Sequence, residues 1–267
     1  MLHGSQVMKG FFQFHAKNGS YYAAAIAFYL LFAATPFLML SLTIAAYVAS
    51  DASSFLEILN AWIKANVPPV AQPLKESLAS VFANRHQIGI VGGIWLFLSA
   101  RKLVGAIEIG LNAMLDVEKP KSGVLTTIAS VAFIFVAALM FLAAMLVLLA
   151  IDFASGIDFS LVGTEASSIL AMLAKIAVGG AAWVGIFFAI YKLAPARSLE
   201  KRDALFAAIT ASLMFTAARL AFTWYGAKQL AQYQVLYGAV ASLLMVLLFA
   251  YFFGISLLMG ACMVRKK

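Results

Sequence analysis

Charge is scarce in this 267-residue sequence: only 11% of its residues are Asp, Glu, Lys or Arg, against about 25% in an ordinary soluble domain. Hydrophobic residues make up 64%, more apolar surface than a soluble fold can hide. Cysteine occurs once, as Cys262 inside an apolar run, so there is neither an intramolecular disulfide nor a metal-type cysteine spacing. The three histidines are His3 and His15 near the N-terminus and His86 far from both in the chain. No His/Asp cluster of a metallo-hydrolase can assemble from them. A Gly-rich phosphate loop and a GxSxG nucleophile elbow are also missing, so neither ATP-driven work nor serine hydrolysis is signalled. These absences predict a protein that is not an enzyme and holds no metal or cofactor.

What is abundant is apolar length. A helix needs about 20 apolar residues to cross the hydrocarbon core of a bilayer, and six segments meet or approach that, near residues 21–50, 88–115, 123–151, 168–194, 203–227 and 235–264. The expected fold is all-α: one polytopic membrane domain over 1–267, a bundle of about six transmembrane helices. The first stretch, Tyr21 to Ser50, is about twice the roughly 7–15 residues of a signal-peptide core and should stay in the membrane. Between the first two spans, in 51–87, Phe55, Leu59, Trp62 and Ile63 fall at helical spacing, as do Leu74, Leu78, Val81 and Phe82, with Pro68, Pro69 and Pro73 between them. Two short amphipathic helices on the outer face are predicted there, either lying on the membrane or capping the bundle.

The net charge of +8 does not indicate nucleic acid, because the basic residues sit in short clusters beside apolar segments, not in one aromatic-interleaved patch. Lys9, Lys17, Arg101, Lys102, Lys119, Lys121, Lys192, Arg197, Lys201, Arg202, Arg265, Lys266 and Lys267 fall on one side of the predicted topology, and only Lys64, Lys75, Arg85 and Lys228 on the other. The richer side is expected to be cytoplasmic, with both termini there. Gly179, Gly180 and Gly185 in the fourth span, and Gly238 with Ser242 in the sixth, mark expected close helix contacts. Such faces permit a homo-oligomer without requiring one. Pro36 is expected to kink or break the first helix.

Polar residues inside the spans are the candidate site. Arg101, Gly105, Glu108 and Asn112 fall on one stripe of the second span, and Ser212, Thr216, Arg219 and Thr223 on one stripe of the fifth. One reading pairs Arg219 with Glu108 across a cavity, leaving Arg101 and the hydroxyls to meet an anionic ligand. The other is a structural ion pair that sets helix register and binds nothing. Asp152, Asp158 and Glu165 match no calcium-loop spacing and read as a solvated loop.

Several segments together resemble the YihY/BrkB family of bacterial inner-membrane proteins. They are Tyr21-Tyr22-Ala23 to Phe28-Tyr29-Leu30-Leu31-Phe32 ahead of Thr35-Pro36; Ser99-Ala100-Arg101-Lys102 leading to Gly110-Leu111-Asn112-Ala113-Met114; Tyr191-Lys192-Leu193-Ala194-Pro195; and Tyr237-Gly238-Ala239 to Leu258-Met259-Gly260-Ala261. After Gly260-Ala261 the family pattern leads to an acidic residue, where this sequence has Cys262-Met263. The resemblance implies a six-helix fold in the bacterial inner membrane and a link to lipopolysaccharide or envelope-lipid transport. Members have also carried the label of a tRNA-processing ribonuclease, ribonuclease BN, against which the histidine census argues. Three functions follow as expectations: passive or ion-coupled transport or flipping of an anionic envelope lipid or amphiphile; export of a small anionic metabolite through the same cavity; or a non-transporting membrane scaffold. The expected partners are membrane lipids and an anionic lipid or solute, with no nucleic acid.

Overall fold

The computed structural model describes residues 2–48, 85–117, 128, 164–197, 199–237 and 239–264, and within them every regular element is an α-helix. They are α1 (Leu2–Ala16), α2 (Gly19–Val48), α3 (Arg85–Leu115), α4 (Thr164–Leu193), α5 (Lys201–Tyr237) and α6 (Ala239–Cys262). α2 to α6 correspond to the first, second, fourth, fifth and sixth predicted spans. The third, 123–151, apart from residue 128, and the amphipathic segment up to residue 84 lie outside the described residues. Two described segments, Lys201–Phe222 and Leu243–Cys262, are long and apolar enough to cross a membrane, and Gly19–Ala34 and Gly179–Leu193 are shorter apolar stretches.

Three local differences from the expectation have physical causes. α1 has no counterpart among the predicted helices: it is one short run of mixed residues, and it is held from outside by contacts no periodicity reveals. α5 continues to Tyr237, ten residues past its expected end, running through Gly226 and a polar stretch around Lys228 that holds no proline to break it. α2 runs through Pro36 without a break; a proline costs one backbone bond, and tertiary neighbours in a membrane bundle can absorb that.

One end of the bundle gathers a terminus of every long helix, and the basic residues Lys9, Lys17, Lys192, Lys201 and Arg202 lie there. At this basic end Asn18 takes a left-handed conformation (φ 57°) between α1 and α2, a role that asparagine fills better than most residues. Gly19 follows because a Cβ there would enter the Phe14 ring. Lys17 Nζ then donates to Met114 O at 2.8 Å and pairs with Asp116 Oδ1 at 2.5 Å. Asp116 is itself left-handed (φ 56°), with Val117 N donating to Asn112 O at 3.0 Å. That is a Schellman-type helix end with aspartate where glycine is usual, and Lys17 is what holds it. α4 stops at Ala194-Pro195, since proline excludes the helical conformation of the residue before it.

α6 is the organising helix, packing against α1, α2, α3 and α5. The close approaches run through glycine and alanine. A Cβ on Gly254 would stand 2.9 Å from Ala23 O in α2, and one on Gly260 would stand 2.8 Å from Ala207 O in α5 and overlap the Tyr191 hydroxyl of α4. Ala204, Ala207, Ala208 and Ala211 form a fully buried stripe on α5, the small-residue packing that brings membrane helices together. Trp183, Phe187, Phe215, Phe249 and Phe253 then fill the widening space above, with Trp183 and Phe215 edge to face at 4.5 Å. The glycines singled out in α4 behave differently: Gly179 and Gly180 have no described atom within 4 Å of a would-be Cβ.

Candidate functional site

α2 and α3 run antiparallel, with Tyr22 against Gly110 near the basic end and Phe32 against Trp95 (ring centroids 5.8 Å apart) farther along. Between them is a groove of about 860 Å³, walled by Tyr22, Ala25, Tyr29 and Phe32 from α2 and by Trp95, Leu98, Arg101, Lys102, Gly105, Ala106 and Ile109 from α3. Each set follows helical spacing, so one stripe of each helix faces the groove. Gly105 leaves room: nothing described lies within 4 Å of where its Cβ would stand. Trp95, Leu98, Ile109 and Phe32 remain exposed at the rim, which gives the groove an apolar border of the kind that faces hydrocarbon.

Arg101 and Lys102 are the two charges in this apolar setting, and both are exposed. They precede the end of α3 at Leu115 by 14 and 13 residues, or about 20 Å at 1.5 Å per residue. The pair therefore lies near the middle of α3, not at its end. Neither makes an ion pair or hydrogen bond among the described residues. Two exposed cations side by side on an apolar groove favour an anion beside them.

The other expected site residues are dispersed. Glu108 and Asn112, on the Arg101 stripe, are buried at 5% and 8% exposure; Asn112 Oδ1 accepts from Ala196 N at 3.0 Å, tying α3 to the turn after α4. Ser212 is buried in α5, Thr216 is half-buried, and Arg219 is exposed three residues before the end of the apolar span at Phe222. Thr223 lies on α5, with its side chain outside the described residues, and Pro36 is buried within α2. Among the described residues α3 has no extended packing against α5; α6 packs against both. The structure thus brings Arg101 and Gly105 into one groove and sets the hydroxyl stripe of α5 elsewhere. Lys102, Tyr22, Tyr29 and Trp95 were not foreseen as site residues. The i, i+3, i+7 spacing of Tyr22, Ala25 and Tyr29 was a usable signal, masked by the continuous apolarity around it. Among the described residues no group of His, Cys, Asp and Glu could hold a metal ion.

Comparison with known proteins adds the lineage. The chain is 25% identical over 94% of its length to a putative ribonuclease-like protein, YfkH, of Bacillus subtilis, covering 90% of that protein. It is 28% identical over 75% of its length to a UPF0761 membrane protein of Methylibium petroleiphilum, spanning about half (47%) of that relative. A UPF0761 membrane protein of Vibrio atlanticus is 23% identical over 90% of the chain, which covers 74% of it. No solved structure matches the chain. The family model described as virulence factor BrkB matches residues 11–265, and with the apolar helices above, this chain belongs to the BrkB family of multi-pass membrane proteins.

Proposed function

We propose that this protein moves an anionic envelope lipid or similar amphiphile between leaflets of the bacterial inner membrane, using the groove between α2 and α3 and no enzymatic step. The observation that carries the reading is the Arg101–Lys102 pair near the middle of α3, on an aromatic-lined groove with an apolar rim. Two exposed cations on that groove attract a headgroup phosphate or carboxylate, while Tyr29, Phe32 and Trp95 offer rings to the acyl chains. The apolar rim favours a lipid over a small water-borne metabolite, which would need a polar entrance. The basic end, by the positive-inside rule, is cytoplasmic, with both termini on that side.

The test is a translocation assay in proteoliposomes, comparing wild type with the Arg101→Ala/Lys102→Ala double variant at matched reconstitution, using fluorescent anionic and zwitterionic lipids. The expected result is transfer favouring the anionic lipid and falling at least tenfold in the double variant. Equal transfer by both proteins would remove the groove from the mechanism, and wild-type transfer no faster than in empty vesicles would end the lipid reading.

A further inference from the structure

α1 presents two faces that ask for different surroundings. One face is fixed to the bundle. A Cβ on Gly10 would come within 3.1 Å of Met263 and 3.6 Å of Cys262 O, just beyond and at the end of α6. Phe14, one turn on, is buried at 3% exposure. Lys17 then bonds the last turn of α3. Gly10 and Lys17 are about 10 Å apart along the helix, so α1 runs across the basic end from the foot of α6 to the foot of α3. The other face is apolar and bare: Phe12, about 200° round from Gly10, is 67% exposed and Phe11 52%. Tyr21, in the first turn of α2, is exposed as well. Beside these rings stand exposed Lys9 and His15, the latter packed at a tilt against Phe11 at 4.5 Å between centroids.

We infer that α1 is a membrane-surface helix that docks the basic end onto an anionic leaflet, with Phe11, Phe12 and Tyr21 at headgroup depth and Lys9 against lipid phosphates. Exposed phenylalanines beside lysine, at the level where spanning helices end, match the composition of interfacial helices, and aromatic rings partition to that zone. The charge chooses the occupant. Exposed Arg197, Lys201 and Arg202 at the same end of the bundle complement an anionic surface, worth about 1 kcal/mol per basic residue near it. The site is separate from the α2–α3 groove, and the inference stands whether or not that groove transports lipid.

The experiment places one nitroxide label on the full-length protein, at Phe12→Cys in a Cys262→Ala background, in vesicles with and without phosphatidylglycerol. Collision rates with oxygen, which concentrates in lipid, are compared with those of a water-soluble nickel chelate. The expected result is at least a threefold excess of oxygen over nickel collisions in anionic vesicles, reduced by Lys9→Glu. A nickel excess would put Phe12 in water, and exclusion of both reagents would put it against protein such as a second copy; either overturns the inference. Phe11→Cys is the second site should labelling at Phe12 disturb the fold, and it must give the same ordering.

Discussion

Gly260→Ala is the sharpest test of how this bundle closes. The added methyl would stand 2.8 Å from Ala207 O and 3.0 Å from Ala211 Cβ, and it would overlap the Tyr191 hydroxyl. The Tyr191 ring can swing aside, but the other two obstacles are a backbone carbonyl and a Cβ of helix α5 that cannot, so α6 must shift or tilt. Overpacking of this kind costs about 1–3 kcal/mol. Displacing Tyr191 Oη from its 2.6 Å bond to Leu257 O adds about 0.5–1.5 kcal/mol, and alanine returns about 1 kcal/mol of helix propensity. The net expectation is a loss of about 2 kcal/mol. The lone thiol provides the assay: Cys262 is buried, so a maleimide dye that fluoresces on reaction reports unfolding directly in detergent. The midpoint should fall by several degrees for Gly260→Ala and stay level or rise for Gly180→Ala, where no described atom lies within 4 Å. Adding Tyr191→Phe to Gly260→Ala should recover part of the loss, because one of the three obstacles is gone. If the two glycine variants melt together, the close approach of α6 to α5 is wrong.

Three further outcomes follow by the same reasoning. Tyr191→Phe alone should lower the midpoint modestly, by about 1 kcal/mol, since Leu257 O loses only a supplementary donor; a larger loss would mean the hydroxyl holds something more. Asn112→Ala leaves the Ala196 amide without its acceptor at a cost of about 1–3 kcal/mol, and limited proteolysis should then cut faster in the α4–α5 turn. Lys17→Met removes both the 2.8 Å bond to Met114 O and the pair with half-exposed Asp116. With Asp116 left in its left-handed conformation, hydrogen exchange should quicken in the last turn of α3 while the aromatic cluster around Phe215 stays protected.

The sequence was legible where the bilayer imposes a single rule. About 20 apolar residues make a span, and five of the predicted spans appear as helices within the described residues. It was much less legible where specificity depends on which side of a helix meets a neighbour. In α6 almost every residue is apolar, so no periodicity tells Gly254 and Gly260, which admit α2 and α5, from its other positions. Gly179 and Gly180 drew attention as adjacent glycines, yet what matters is the atom opposite, and that is a tertiary fact. Arg101 illustrates the same limit for the site. Its type and its stripe were readable, but its place in a groove, its neighbour Lys102 as a co-lining group and the aromatic wall from α2 depend on the antiparallel register of α2 and α3. Glu108 and Asn112 share that stripe and are covered where it nears the basic end, because the turn after α4 folds over Asn112.

The contact of Gly254 with Ala23 also bears on how the protein is made. These residues are more than two hundred positions apart, so when the ribosome has delivered α2 to the membrane, its partner has not yet been translated. Until α6 arrives, the Ala23 face of α2 must rest against lipid or an insertion chaperone, and the α2–α3 hairpin waits without its third wall. Ribosomes that stall before Gly254 should therefore release chains whose early helices are inserted but unlocked, open to membrane proteases in a way the finished protein is not.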